Sequence, residues 1–268
     1  MRVRQHSLVA VLCLTLAAAA VRAETWRGPP VDASLGEAAK SAIARADVLY
    51  AAREKDGNDT RAAEELRSLA KAAPDAFDVQ WRLSRAVWWL SERTGDKARL
   101  RVLSQECREA AERALKLKPA AAEALYFGAL CIGSYSRAVG LLTALSEGLE
   151  AKFRDPLLAL AKSAPALDNG GVLNALGRYK FSLPWPKRDY DQSVVYLERA
   201  LQLQPANLRG RVYLAETLAA RDNAGDAARA SRLLFEVLSA PVGRYDTAEE
   251  FFSQGLARAL APKLPVKP

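Results

Sequence analysis

The sequence predicts an all-α fold in which antiparallel helix pairs are stacked one after another. Beyond Asp32, apolar residues recur at i, i+3, i+4 and i+7 in segments rich in Ala, Leu, Glu, Arg and Lys, and these residues favour α-helices. Clusters of Gly, Pro, Asn and Asp separate the segments into helices of ordinary length. A third observation is a helix ending that recurs along the chain.

The N-terminal residues 1–23 have the pattern of a secretory signal peptide. Arg2 and Arg4 precede an apolar run over residues 8–21, and the small-residue site Val21-Arg22-Ala23 follows. The run is shorter than the roughly 20 residues that span a bilayer. We therefore expect cleavage near Ala23 and a periplasmic or secreted product without stable membrane insertion. Glu24, rather than a cysteine, would begin that product, which argues against a lipid anchor.

Charge and composition exclude several classes of protein. The chain has a formal charge of +8, which loss of Arg2, Arg4 and Arg22 would lower to +5, and its basic residues are interspersed with acidic ones. That pattern is typical of solvated helix faces and not of a nucleic-acid-binding surface. The only histidine, His6, lies in the predicted signal peptide, so histidine-dependent catalysis and zinc binding are excluded. We predict no cofactor and no metal.

Two cysteines, Cys107 and Cys131, remain after the predicted cleavage, each within a helical pattern. Two thiols alone cannot build a thiolate zinc site. They are either small buried apolar residues or the partners of one disulfide formed in an oxidising compartment. We favour buried thiols and keep the disulfide as the alternative.

The recurring helix ending predicts tetratricopeptide-repeat (TPR) packing. It occurs at Leu66–Pro74, Ala111–Pro119 and Leu197–Pro205. The helices that precede or follow these endings carry a large apolar residue and then a small one, at Leu83-Ser84, Phe127-Gly128, Leu176-Gly177 and Leu214-Ala215. In TPR proteins the small residue lets the second helix of a pair pack closely. The fold is therefore predicted to be an irregular TPR-type α-solenoid of about four pairs.

The predicted organisation has four parts. Residues 1–23 are the signal peptide, 24–45 an N-terminal segment and capping helix, 46–241 the TPR-like repeats, and 242–268 a C-terminal helix and tail. Residues 139–167 lack the repeat consensus and include the amphipathic leucines Leu141, Leu142, Leu145 and Leu149. We expect an extra packing helix there, with a helix lying in a membrane plane as the alternative.

Particular irregularities resemble one subgroup of TPR proteins. They are the segments Trp81–Ala86, Tyr126-Phe127-Gly128, Asp168–Gly171, Leu173–Tyr179 and Leu183-Pro184-Trp185-Pro186. In these segments the chain is similar to the TatT component associated with TRAP transporters, and more distantly to the TPR-like regulators of microtubule dynamics. The resemblance implies a periplasm-facing helical protein with a central pore or groove that meets a solute-binding protein and an apolar ligand. The chain departs from the TatT pattern because it lacks a lipobox.

The first helix of each pair lines the concave surface of a TPR superhelix, so residues around the large–small pairs are candidates for contact with a partner. These candidates are Trp81, Arg85, Trp88, Trp89, Asn174, Arg178, Phe181 and Glu216, with Arg209 beside them. Tryptophan supplies large contact area and arginine bidentate hydrogen bonds to carboxylates or carbonyls. In the alternative interpretation the tryptophans only fill the interior and Arg85 is ion-paired within a neighbouring repeat.

These residues predict binding without catalysis. The first hypothesis is an exported scaffold or adaptor that binds a protein partner in its groove, and the alternative is a carrier of an apolar or acidic small ligand. An oligomer is compatible with either. A carboxylate-dependent, glycoside-acting enzyme is the remote alternative, with Glu64, Asp189 and Glu216 as its candidates. That enzyme would need two carboxylates in a deep pocket, one with a raised pKa.

Overall fold

A computed structural model of the chain describes residue 26 and residues 28–264. The described residues form twelve α-helices, one short 3₁₀-helix and no strand, so the predicted all-α helical-repeat fold is confirmed. The predicted signal peptide lies outside the described residues. The helices are α1 (Glu37–Ala51), α2 (Asn58–Ala72), α3 (Phe77–Arg93), α4 (Lys97–Leu117), α5 (Ala122–Val139), α6 (Leu141–Ser146), α7 (Leu149–Ser163), α8 (Leu167–Ser182), α9 (Tyr190–Leu203), α10 (Leu208–Arg221), α11 (Asp226–Ser239) and α12 (Thr247–Leu260).

Consecutive helices pack as pairs along the described chain. The pairs are α1 with α2, α3 with α4, α5 with α7, α8 with α9, and α10 with α11. The short α6 lies between α5 and α7 and contacts both, and α12 packs on α10 and α11. The segment expected as an N-terminal capping helix, α1, thus forms the first pair with α2. In the described part of the chain, no helix is long and apolar enough to cross a membrane.

Small residues set how closely these helices approach. A Cβ atom added at Gly177 on α8 would lie 2.6 Å from Cγ of Leu197 on α9. At Gly128 on α5, an added Cβ would lie 3.3 Å from the Cβ of Ala111 on α4. Such close approach leaves little room for any larger side chain. The large–small pairs found in the sequence therefore mark helix–helix contacts.

The two cysteines are joined in a disulfide, which corrects the preference for buried thiols. Cys107 on α4 and Cys131 on α5 are fully buried, and their Cα atoms are 5.6 Å apart. The hydroxyl oxygen of Ser84, on the neighbouring α3, lies 3.3 Å from Sγ of Cys131. Spacing along the sequence could not show this, because the bond depends on which faces of α4 and α5 meet.

The C-terminal helix returns to the start of the stack. Arg53, which follows α1, donates a 2.8 Å hydrogen bond to Asp246 at the N-cap of α12. Phe252 of α12 packs on Trp89 of α3, with 5.6 Å between ring centroids. Arg209 of α10 bridges Glu249 of α12 and a glutamate of α3. These contacts place α12 across the inner side of the stack, beside a half-open cavity.

Candidate functional site

The cavity has a volume of about 700 Å³. Helices α5, α6, α7, α8, α10 and α12 line it, together with the C-terminal end of α3. Pockets that hold small molecules and cofactors have volumes of roughly 300 to 1,000 Å³ and mostly apolar walls with a few polar groups. The cavity has both the size and the composition of such a pocket.

One wall of the cavity is apolar. It is formed by α6 and α7, the segment that lacks the repeat consensus, and by the facing turn of α5. Its side chains include Leu130, Leu141, Ala144, Leu145, Leu149 and Phe153. Leu145 faces the cavity, whereas Leu142 on the same helix is 73 % exposed on the outside. The extra helices therefore supply a surface for the aliphatic part of a ligand.

The opposite wall carries a network of buried charges. Arg209 donates to Glu249 through two hydrogen bonds, of 2.9 and 3.1 Å, and to Glu92 through one of 2.8 Å. Arg137 donates a further hydrogen bond to Glu92. Burial acts to raise the pKa of Glu92, but the two arginines outweigh it and the pKa is lowered. Both arginines are thereby occupied by carboxylates of the protein itself.

Glu249 has the opposite balance. Burial raises its pKa to about 7, and Asp246 and Asp168 add to the rise, while Arg209 and Arg53 only partly offset it. The negative charge of Glu249 is costly because the carboxylate is buried and lies near the like charges of Asp246 and Asp168. Glu249 therefore binds a proton more tightly than a solvent-exposed glutamate does, at the point where α12 meets Arg209.

Asp168 stands apart from the arginine network. It begins a non-helical turn at the start of α8, where Asp168, Asn169 and Gly170 have φ of 47°, 57° and 81°. Its carboxylate accepts a 2.9 Å hydrogen bond from the hydroxyl of Tyr126. Within the described residues, no Lys or Arg nitrogen lies within 4.0 Å of it. Burial raises the pKa of Asp168.

Asn174 and the pair Arg178–Glu216 complete the polar wall. Asn174 on α8 is only 4 % exposed, and its side-chain oxygen has no hydrogen-bond partner within the described residues. One turn further on, Arg178 forms an ion pair with Glu216 of α10 and lies over the ring of Phe181, 4.6 Å from its centroid. The side-chain oxygen of Asn174 is inaccessible to solvent and lies against Gly210 of α10, so it does not itself open onto the cavity.

The structure places four of the candidate partner-binding residues on the cavity wall: Trp88, Asn174, Arg178 and Glu216. Arg209 joins them there. Trp81 and Trp89 do not line the cavity. Trp81 is fully buried under Gly28 and stacks on Phe127, and Trp89 is enclosed by Phe252 and Arg53. These two tryptophans fill the interior, as the alternative interpretation expected.

Arg85 and Phe181 also lie off the cavity wall. Arg85 is buried, forms a 2.6 Å ion pair with Asp47 of α1 and lies 4.0 Å from the centroid of the Tyr50 ring. Its guanidinium is therefore engaged between the first two helix pairs. Phe181 packs on Tyr190 with 5.6 Å between ring centroids. Both were placed in the groove because helix periodicity shows the inner face of a helix and not which neighbour covers it.

Sequence reasoning missed the buried acids of the cavity. Glu92 and Glu249 carry no motif, and their meeting depends on α12 returning to α3. Asp168 could have been found from the sequence, because the segment Asp168–Gly171 is one of the irregularities that carry the family resemblance. The proposed enzyme carboxylates do not converge: Glu64 is exposed, Asp189 caps α9, and Glu216 is paired with Arg178. Among the described residues, no group of His, Cys, Asp and Glu could hold a metal ion.

The fold defines the chain as an all-α protein of helical-repeat type. The family model described as "Regulator of microtubule dynamics protein 1-3" matches residues 42–154, from α1 into α7. The match covers less than half of the 268 residues. The matched family is the more distant of the two groups that the sequence resembles. No curated protein matches the chain significantly.

Proposed function

We propose that this protein is an exported, non-catalytic TPR-type protein that holds a small amphipathic molecule in its central cavity. The observation that carries the proposal is the cavity of about 700 Å³, with one apolar wall and one charged wall, beneath the closing helix α12. A molecule with an aliphatic part and a polar head matches both walls. The family resemblance supports the helical architecture but does not name a ligand.

A small ligand fits this site better than a protein segment. Binding a protein in the groove requires an open concave surface, but α12 lies across it. The helix is held by Arg53 on Asp246, by Arg209 on Glu249 and by the packing of Phe252. Displacing α12 would separate these buried ion pairs, which is costly. The carrier hypothesis therefore takes precedence over the adaptor hypothesis.

The buried carboxylates support binding more than catalysis. Asp168 and Glu249 both line the cavity and both have raised pKa values, as an acid–base enzyme would require. However, both oxygens of Glu249 accept hydrogen bonds from Arg209, and Asp168 is held by Tyr126. Neither carboxylate presents the free, paired geometry of a glycoside-cleaving site.

Export is part of the proposal. The N-terminal residues have the pattern of a signal peptide, and the Cys107–Cys131 disulfide suits an oxidising compartment such as the periplasm. The mature protein would begin at Glu24 and carry the ligand outside the cytoplasm.

A TatT-like adaptor is the second candidate, and Trp185 is the observation that favours it. This tryptophan is 87 % exposed at the corner Leu183-Pro184-Trp185-Pro186, where neither the core nor the cavity explains it. Exposed tryptophans are enriched at sites of protein contact. If the protein meets a solute-binding protein, a Trp185→Ala variant should lose that protein in a pull-down from periplasmic extract and keep its ligand.

A pair of matched substitutions on α6 tests the main proposal. Leu145→Trp would fill part of the cavity, whereas Leu142→Trp adds the same side chain to the outside of the same helix. We expect the neutral dye N-phenylnaphthylamine to become fluorescent on binding wild type and Leu142→Trp, and to bind Leu145→Trp at least about tenfold more weakly, a loss of 1.4 kcal/mol. Equal dye binding by both variants would contradict a ligand in this cavity.

A further inference from the structure

The charges around the closed end of the cavity do not balance. Three guanidinium groups face four carboxylates there: Arg53, Arg137 and Arg209 against Glu92, Asp168, Asp246 and Glu249. Each arginine forms an ion pair within 4.0 Å, and three of the carboxylates are used in those pairs. Among the described residues, Asp168 is the carboxylate of this set that forms no ion pair within 4.0 Å, and Arg53 and Arg209 attract it only from a greater distance.

On this wall every arginine is already paired with a carboxylate, and the remaining cation along the described cavity lining, Lys263, is a solvent-exposed residue that follows α12. Arg209 and Arg137 are bound to Glu92, and Arg209 is also bound to Glu249. Arg178, nearer the middle of the cavity, is bound to Glu216. An acidic head would have to displace one of these carboxylates and leave it buried without a partner, which is strongly unfavourable. The charged wall therefore disfavours the acidic ligand that the sequence left open.

The carboxylate of Asp168 is held at the cavity wall. The left-handed turn over residues 168–170 directs the chain there, and the hydroxyl of Tyr126 donates to one carboxylate oxygen at 2.9 Å. Gly171 leaves the space that this hydroxyl occupies, because an added Cβ would collide with it. A half-buried carboxylate with one neutral donor is incompletely compensated. It is stabilised either by taking up a proton, consistent with its raised pKa, or by binding a cation.

Polar and aromatic groups line the same cavity. Asn174, which is 4 % exposed, contributes its side-chain amide. The rings of Trp88, Tyr126 and Tyr245 also line the cavity. Aromatic faces attract ammonium groups, and more strongly when both are removed from water. A polar head placed here would meet a carboxylate, an amide and aromatic rings.

We infer that the cavity selects a ligand with a cationic head of the ammonium class on an aliphatic tail, with Asp168 as its counter-ion. The head lies beside Asp168 and the ring of Tyr126, and the tail lies along Leu145, Leu149 and Phe153 of the apolar wall. This inference rests on the proposed function and adds the ligand class to it.

Competition with three probes of equal chain length tests the inference. Decyltrimethylammonium, decanoate and decanol would each displace N-phenylnaphthylamine from the oxidised wild-type protein at pH 8. We expect the ammonium probe to bind at least about tenfold more tightly than decanoate, which corresponds to 1.4 kcal/mol. This comparison uses wild type alone and does not depend on the folding of a variant. Decanoate binding as tightly as the ammonium probe would overturn the inference and leave the proposed function intact.

The variant Asp168→Asn tests whether this carboxylate causes the preference for the ammonium probe over decanoate. Asparagine tolerates the left-handed conformation and can still accept from Tyr126, so the variant should keep its fold. We expect the advantage of the ammonium probe over decanoate to fall below about threefold, or 0.7 kcal/mol, with decanol binding unchanged. Asp191→Asn, on an exposed residue that contacts Arg221, is the matched control and should keep the full preference.

Each remaining outcome has a definite meaning. A tenfold preference that survives in Asp168→Asn would overturn the role of this carboxylate as the counter-ion. If wild type binds neither the dye nor any probe, the proposed function itself fails, and the inference fails with it.

Discussion

Single side chains set the distance between helices in this stack. At the point where α8 crosses α9, Gly177 lies against the fully buried Leu197, and a Cβ at position 177 would come within 2.6 Å of its Cγ. Gly255, in the interior of α12, has nothing within 4 Å of an added Cβ. The same residue type thus serves close packing in one helix and has no packing role in the other.

Substituting alanine at these two glycines should change stability in opposite directions. Gly177→Ala should lower the free energy of unfolding by about 1 to 3 kcal/mol, because the core must shift to admit a methyl group. Gly255→Ala should leave it unchanged or raise it by up to about 1 kcal/mol, because alanine favours the helix. Urea denaturation followed by circular dichroism measures both. Equal destabilisation by the two variants would contradict the packing described for α8 and α9.

At the scale of elements, α12 links the end of the described chain to its first helices and lines one side of the cavity. Its N-terminal turn brings Asp246 and Glu249 to Arg53 and Arg209, and its middle brings Phe252 to Trp89. Glu249 has a raised pKa of about 7 in the folded protein, against 4.5 as its ordinary value. Folding therefore takes up a proton between these two pH values, and the stability of the closed protein depends on pH in that window.

The direction in which stability changes with pH follows from the raised pKa of Glu249. Because the folded state binds the proton of Glu249 more tightly, stability should rise as pH falls from 8 towards 5. Asp168, whose pKa is also raised by burial, acts in the same direction. The carboxylates with lowered pKa values, such as Glu92, Glu150 and Asp226, lose their stabilising effect only at lower pH.

We expect the free energy of unfolding to be about 2 kcal/mol larger at pH 5.5 than at pH 8. In Glu249→Gln, which cannot titrate, most of this difference should disappear. Glu236→Gln, on a half-exposed glutamate paired with Arg211, is the control, and its stability should keep the wild-type difference between the two pH values. Urea titrations at the two pH values provide the measurement. A pH dependence that is unchanged in Glu249→Gln would rule out this residue as its source.

At the scale of the whole molecule, long-range links hold the stack together. The ion pair between Arg53, which follows α1, and Asp246, at the N-cap of α12, joins residues 193 positions apart, and the Cys107–Cys131 disulfide joins α4 to α5 across 24 positions. The disulfide crosses the large core cluster, in which both cysteines are buried with Trp81 and Phe127. It therefore restricts the unfolded chain in the region that forms most of the core.

Removing the disulfide should lower the free energy of unfolding by about 3 kcal/mol, as expected for a loop of this length. Urea denaturation of wild type with and without dithiothreitol measures the effect. The double variant Cys107→Ala, Cys131→Ala should have the lower stability and be unaffected by the reductant. A reductant effect of equal size in wild type and double variant would show that it does not act through this bond.

The sequence by itself determined the helical architecture of the protein. Periodic apolar residues, breaks at Gly, Pro, Asn and Asp, and large–small pairs such as Leu176-Gly177 are local features, so they could be found without knowing which helices meet. The candidate site was only partly accessible in this way. Trp88, Asn174, Arg178 and Glu216 were found because they lie on inner faces of repeat helices.

Only the tertiary structure decided which residues on the inner faces of the helices line the cavity and which are buried or paired with a neighbouring helix. Trp81 and Trp89 are core residues, Arg85 is bound to Asp47, and Cys107 is bonded to Cys131, because each of these outcomes depends on a neighbouring helix. The return of α12 to α3 converts a groove into a cavity and gathers the buried carboxylates within it. Periodicity along one helix fixes the direction of a side chain, but burial and charge pairing depend on the distant segment packed against it.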